Sequence, residues 1–416
     1  MKRFILFLYF SLPCFALTLE EAIRITLTQN HTIKEQEYLL EVSKADFKST
    51  QSAFYPSINA TYNTLRSNRF QRVDKKTSGN VGANLQYNLF NGFSDFYDFK
   101  SANALLESQA HKLEATKEDV ILLVKLAYID VLKQAQHVRV AEESKKLLEE
   151  QRRQNTEFYR VGFIHKNDLL KVEVELNNTI QDLLKYKSAL NYALQNLMRF
   201  VKIKVNLENL KEVDSKSLTL EFSKLQTLML QKRSELLLLN KIIESKEFLV
   251  QSAKGNFMPE LSLNSQYTRY GDDYKLSGRD GIYKDETHIS LGVNFNIFSG
   301  FSDKYDLESA KLTKLSFYSQ KSALLEDLDL QLFSALEAYN LALNAYKISQ
   351  IALKQAEENY RISKNRYEQR ILSTSDFLDA ELLLSEAKMN LILNKYAIVE
   401  SLAQLERITQ TTLMQK

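Results

Sequence analysis

Apolar and polar positions alternate in four stretches of the chain. Ile58, Ala60 and Tyr62 interleave with Ser57, Asn59, Thr61 and Asn63. Val81, Ala83, Leu85, Tyr87 and Leu89 interleave with Gly82, Asn84, Gln86 and Asn88. Later, Leu261, Leu263 and Tyr267 alternate with Ser262, Asn264 and Gln266, and Ile289, Leu291, Val293, Phe295 and Ile297 with Ser290, Gly292, Asn294 and Asn296. A period of two predicts strands, here over 57–65, 81–90, 260–269 and 287–298, with a polar, charged segment over about 66–80. The remaining sequence predicts helices over about 17–54, 95–159, 168–201, 223–254, 303–367 and 374–408. The first opens on Thr18-Leu-Glu-Glu21, a capping-box pattern. In the last, Phe377, Leu384, Leu391, Ile398 and Leu405 recur at heptad spacing with Ala380 and Ala387 between them, a coiled-coil seam. The fold class is mainly α with β.

The same order of elements occurs twice. Asn88–Ala102 returns as Asn296–Ala310 with ten of fifteen residues identical. Phe54-Tyr-Pro56 answers Phe257-Met-Pro259, and Phe158-Tyr159 before Asp168 answers Arg366-Tyr367 before Asp376. A tandem duplication is expected, with a first repeat over 17–203, a linker over 204–222 and a second repeat over 223–416. The helix breakers agree. Nine of the ten glycines lie between Gly79 and Gly92 or between Gly255 and Gly300, and the prolines are Pro13, Pro56 and Pro259. The long stretches between them read as unusually long helices.

The N-terminus reads as a secretory signal: Lys2-Arg3, the apolar run Phe4–Leu12, then Pro13-Cys-Phe-Ala16. A cut after Ala16, giving a signal peptide over 1–16, fits the small-x-small rule, and Pro13 makes Cys14 a poor lipidation site. Cys14 is the chain's one cysteine, so a mature chain has no thiol chemistry. The net charge of +3 falls by two without Lys2 and Arg3, which argues against a nucleic-acid partner. No apolar run is long enough for a transmembrane helix.

The alternating segments face a choice between a half-buried soluble sheet and a membrane barrel. Their polar face is uncharged and Asn-rich, as a wet lumen would be, and export also favours the barrel. Each half offers two strands, so one chain offers four. Four cannot close, and lipid does not tolerate open edges. The chain must therefore oligomerise: two copies give eight strands, whose interior side chains plug, and three give twelve and room for a channel.

This order of elements resembles the TolC family of bacterial outer-membrane efflux channels, over essentially the whole mature chain. The residues that carry the resemblance are Leu19-Glu-Glu-Ala-Ile23, Pro56 and Pro259 before the strands, the turns Phe90–Ser94 and Phe298–Ser302, and the helical turns Tyr159-Arg-Val-Gly162 to Asp168 and Tyr367 to Ala380. The resemblance implies a homotrimer with a 12-stranded outer-membrane β-barrel in lipid, continuous with a long periplasmic α-helical coiled-coil barrel. Twelve helices at about 10 Å spacing make a ring about 38 Å across and leave roughly 25–28 Å inside. It further implies a passive exit duct for small toxic compounds, docked to a periplasmic membrane-fusion adaptor and an inner-membrane RND or ABC transporter. A type I protein-secretion duct would use the same parts. A periplasmic coiled-coil structural protein is the competing class and would have no barrel.

The resemblance places an acidic ring at the periplasmic mouth on Asp376 and Asp379. Six carboxylates in a trimer would favour cations and invite divalents. Helix capping from Ser373 is the alternative for Asp376. Polar links hold such a mouth closed, and Asp168 and Tyr367 match two linking positions. Leu372 stands where the family has the basic partner, and Arg370 where it usually has Gly, so Arg370 is expected to complete the latch in place of the missing residue. The turns with Phe90, Gly92, Phe93, Phe298, Gly300 and Phe301 are strand-to-helix junctions, either an aromatic girdle or packed kinks. Nothing points to an enzyme or a cofactor. The five His lack metal spacing, and no phosphate loop or nucleophile elbow occurs.

Overall fold

The structure, a computed structural model, describes residues 17–68, 77–213, 217–272, 274, 276–278 and 284–414. The expected signal peptide over 1–16 and part of the charged stretch after the first strand lie outside them. The chain is mainly helical, with one antiparallel four-stranded sheet. Among the described residues no helix is long and apolar enough to cross a membrane.

The N-terminal helical region is two helices, α1 (Leu19–Gln29) and α2 (His31–Thr50), where one was expected. Thr18 caps α1 through a complete capping box with Glu21. Asn30 makes the break: its backbone turns extended while its side-chain oxygen accepts from Thr32 N (2.8 Å) and Ile33 N (3.3 Å), opening α2. The expected helix over 223–254 is likewise α5 (Phe222–Lys232) and α6 (Ser234–Lys254), interrupted at Arg233. Arg233 is extended, and its buried guanidinium donates to the Arg407 carbonyl. That tertiary bond is the physical reason for a break that no Gly or Pro announces.

The sheet consists of β1 (Ser57–Arg66), β2 (Thr77–Asn91), β3 (Glu260–Gly271) and β4 (Asp285–Asn294), in that order. Register keeps the two kinds of side chain apart, because directly opposed residues share a face. Ile58, Leu85 and Ser265 align with Ile289 on one face; Asn59, Asn84, Gln266 and His288 align on the other. The apolar side is exposed, with Ile58, Tyr62, Ile289, Leu291 and Val293 each more than half accessible. β2 starts before the alternation does, because Ser78 and Gly79 continue the backbone ladder opposite Leu65 and Thr64. β4 stops short of the expected Phe298. Its last partner is Glu260, and the preceding Pro259 has no N–H to extend the ladder. Phe295, Ile297 and Phe298 follow as exposed apolar residues outside the ladder.

The long helices are α3 (Ser94–Arg160) and α7 (Ser302–Glu368), 67 residues each, and their returning partners α4 (Lys166–Val201) and α8 (Thr374–Thr409), 36 residues each. At about 1.5 Å per residue α3 and α7 each run about 100 Å.

The chain divides into two compact units. The sheet belongs to one, made of Gln36–Leu113 and Ser234–Leu325. There Ser94 Oγ donates to the Ser252 carbonyl (2.9 Å), the Ser101 and Ser245 hydroxyls meet at 2.8 Å, and Lys241 pairs with Glu107. The junction turn at Gly92 is packed tightly: a Cβ there, at φ +54°, would lie 2.8 Å from Gly255 Cα. Gly300 has the same left-handed backbone with nothing within 4 Å, so it is conformation that demands glycine there. At both junctions the two phenyl rings of the Phe-x-Gly-Phe turn pack edge to face, Phe90 on Phe93 and Phe298 on Phe301.

The other unit holds residues 17–35, 114–233 and 326–414 among those described. Its core includes Tyr128, Ile129, Leu197, Met229, Leu402 and Leu405. The segment expected as a plain linker is pinned to this core. Tyr128 Oη bonds Leu17 O and both backbone groups of Lys211, and Tyr339 Oη bonds both backbone groups of Leu218.

Candidate functional site

The two helical turns singled out in the sequence share one hydrogen-bond frame. After α3, Gly162 N donates to Tyr159 O (3.0 Å) and Phe163 N to Phe158 O (2.8 Å). After α7, Arg370 N donates to Tyr367 O (2.9 Å) and Ile371 N to Arg366 O (2.8 Å). Gly162 and Arg370 occupy the same left-handed position, at φ +77° and +64°. Arg370 thus adopts the left-handed turn that favours Gly, against an intrinsic cost of roughly 1–2 kcal/mol. An aromatic seat offsets it. The Arg370 guanidinium lies 3.9 Å from the Phe163 ring centroid and 5.3 Å from that of Phe158.

Among the described residues, the side chains of the three expected latch residues make no hydrogen bond or ion pair with one another. Tyr367 is buried at 6 % exposure, its hydroxyl donates to Asn155 Oδ1, and its ring stacks on Phe377 at 4.7 Å. Arg370 meets the two phenylalanines of the other turn. Among the described residues, the Asp168 carboxylate makes no ion pair or hydrogen bond. Asn155, Phe158 and Phe163 are therefore the local partners that sequence reasoning missed.

Asp376 and Asp379 are both exposed, one turn apart at the start of α8. Ser373 is the N-cap and accepts from Asp376 N (3.1 Å), while its hydroxyl also meets Asp376 Oδ2 at 2.8 Å. Capping accounts for Asp376 and leaves Asp379 pointing outward without a structural task. Behind them the α7–α8 hairpin is tied by the stack Tyr360–Phe377–Tyr367 and by packing of Leu384 and Ala387 on Ala356. The expected seam is buried at Phe377, Ala380, Leu384, Ala387, Ile398 and Leu405, and half-buried at Leu391.

α8 also lies antiparallel to α3, as a polar ladder shows. Ser144 meets Ser385 (3.2 Å), Lys388 pairs with Glu143 (2.9 Å), Lys133 with Glu400 (2.7 Å) and Lys125 with Glu406. The Lys388 ammonium beside Glu143 holds that carboxyl below its usual range. Several polar groups in this seam are buried without partners among the described residues: both amide atoms of Gln151, Asn155 Nδ2 and Glu381 Oε1. Burial, reinforced by the charge of Glu175, pushes the Glu381 carboxyl up to about 7.

Known proteins agree with this architecture. The profile of the family described as outer membrane efflux protein matches residues 22–201 and 227–410. The outer membrane efflux protein BepC of Brucella suis is 20 % identical over 394 residues, covering 92 % of this chain and 85 % of its own. Among solved structures, the Campylobacter jejuni CmeC outer membrane channel superposes with a TM-score of 0.82 at 17 % identity, over 94 % of this chain and 85 % of its own. The Vibrio cholerae outer membrane protein VceC gives 0.80 at 14 % identity, over 94 % and 95 %.

Proposed function

Since the chain belongs to the outer membrane efflux protein family, we propose that it is the outer-membrane exit duct of a tripartite efflux system. In this reading three copies, each exported by the signal segment over 1–16, close a 12-stranded barrel in the outer membrane. Their helices form a periplasmic conduit. The duct conducts small toxic compounds passively when a periplasmic adaptor and an inner-membrane pump dock on it.

The observation that carries the proposal is the sheet. Among the described residues its two edge strands, β1 and β4, have one unpaired edge each, and its apolar face is exposed. In lipid both features are satisfied only by closure with further copies. The duplication supplies the missing register. Transferring the β2–β3 pair Leu85↔Ser265 to the matching residues of β4 and β1 places Val293 of one copy opposite Tyr62 of the next. Both lie on the apolar face, so the pairing keeps the two faces separate around the barrel. Opposed Cα atoms in such a ladder are about 4.5–5.5 Å apart, within disulfide reach. The variant Tyr62→Cys/Val293→Cys should therefore run as a covalent trimer on a non-reducing gel of outer membranes. Single-cysteine variants should stay monomeric, and a double variant that also stays monomeric rules out this closure.

The acidic mouth at Asp376 and Asp379 is proposed on the same footing: the Ser373 cap holds these carboxylates exposed at one helix start, and three copies would gather six. The latch is proposed in altered form. Arg370 holds the two turns of one chain together through Phe158 and Phe163, which leaves Asp168 for a neighbouring copy. Arg370→Ala should raise single-channel conductance, because the α7–α8 turn is released from the α3–α4 turn. Unchanged conductance sinks the latch and leaves the duct standing. Transport itself is tested in cells: deleting the gene should sensitise them to a panel of toxic compounds, and the intact gene should restore resistance.

A further inference from the structure

Within the helical unit, α3, α4 and α8 line a half-open cavity of about 520 Å³. Four carboxylates line it, from Glu175 and Asp182 on α4 and Glu381 and Glu386 on α8, and no Lys or Arg does. Apolar surface from Leu148 and Met389 completes the wall. The key residue is Glu381. It is 5 % exposed, and its Oε1 is fully buried without a hydrogen-bond partner among the described residues. The antiparallel register that sets Ser144 on Ser385 puts Leu148, one turn along α3, opposite Glu381, so the side chain facing it at that level is hydrocarbon. A buried acceptor without a donor is costly unless a ligand supplies one.

We propose that this cavity is a binding site for a small organic cation, a protonated amine with an apolar body, whose ammonium group pairs with Glu381. The carboxylates are too dispersed for a bare metal ion: among the described residues no group of three or more His, Cys, Asp or Glu converges on one point. The volume and the Leu148–Met389 wall suit several carbon atoms beside the charge. Glu175 and Asp182 add negative potential without contacting the same atom. The site lies within one chain, so it stands whether or not the chain assembles into a duct.

Ionisation of Glu381 sets when the site works. The titratable groups facing it are Glu175, Asp182 and Tyr186 on α4, Glu386 on its own helix and Tyr360 on α7, and none is a cation at neutral pH. Burial keeps Glu381 protonated below about pH 7, so amine binding should strengthen as pH rises through that value.

The test is calorimetric titration of the full-length protein in detergent with n-hexylammonium, and with n-hexanol as the uncharged control. At pH 8 hexylammonium should bind and hexanol should bind far more weakly. Glu381→Gln, or wild type at pH 5.5, should weaken hexylammonium by about tenfold or more. Leu148→Lys, which places a cation inside the cavity, should abolish binding and serves should Glu381→Gln fail to fold. Equal affinity for wild type and Glu381→Gln overturns the proposal. So does equal affinity for hexanol, or binding that is lost in Asp376→Ala/Asp379→Ala and kept in Glu381→Gln.

Discussion

Replacing Lys125 by Met should destabilise the protein by about 3–5 kcal/mol, the cost of leaving a buried carboxylate without its counter-ion. Lys125 and Glu406 have side chains 13 % and 4 % exposed, and they pair directly across α3 and α8. The other donors to Glu406, the backbone N–H groups of Leu413 (2.5 Å) and Met414 (2.6 Å), satisfy lone pairs without neutralising the charge. The double variant Lys125→Met/Glu406→Gln removes both charges and keeps a carbonyl acceptor for those two N–H groups. It should recover at least half of the loss. Urea unfolding midpoints of the two variants check both statements. A single variant as stable as wild type would show that the pair is solvated in the assembled protein.

The second large effect has the opposite sign. Glu381→Gln should stabilise the amine-free protein at pH 8 and leave it unchanged near pH 4.5. The Glu381 carboxyl is raised to about 7 in the folded chain from an ordinary value of 4.5. The folded state therefore holds a proton that the unfolded chain has released. Stability falls as pH climbs from about 4.5 to 7 and stays lowered above that, by about 3 kcal/mol at most. A neutral amide of the same shape has no such term. Melting curves of the two proteins should converge in acid and separate above neutrality. Curves that stay parallel would mean that Glu381 is solvated or paired.

The elements that the sequence disclosed best are those whose cause is local. Residues 93–161 and 301–416 contain no Gly or Pro inside a helix, and α3, α7 and α8 run unbroken to within a residue or two of their expected ends. Alternation located all four strands, because period two is a property of the strand itself. The end of β4 was misplaced because it depends on a partner: the ladder stops where Pro259 cannot continue it. The breaks at Asn30 and Arg233 were missed for two reasons. Asn30 acts through a side-chain cap that competes with an otherwise helical run, and Arg233 through a carbonyl at Arg407, far along the chain.

At the two turns the sequence located the residues and missed their partners. Tyr367 and Arg370 were named, but Asn155 and Phe158 at the end of α3 and Phe163 in the turn after it lie more than 200 positions away, and no local pattern encodes how the two turns meet. The left-handed backbone at Arg370 carries no local signal, because the aromatic seat that offsets its cost is itself tertiary. Glu381 reads in sequence as one more acidic residue beside a seam. Its burial, its unpartnered oxygen and the cavity in front of it depend on Leu148 facing it from α3 and Glu175 from α4.

The central claim is that three copies of this chain form a gated duct through the outer membrane. Planar-bilayer recording of the detergent-purified mature protein tests it most directly, with and without added divalent cation. The account predicts small discrete conductance steps that divalents block, with the block relieved in Asp376→Ala/Asp379→Ala. Failure to insert, with no steps under any condition, would contradict it and return the alternating strands to an ordinary soluble sheet.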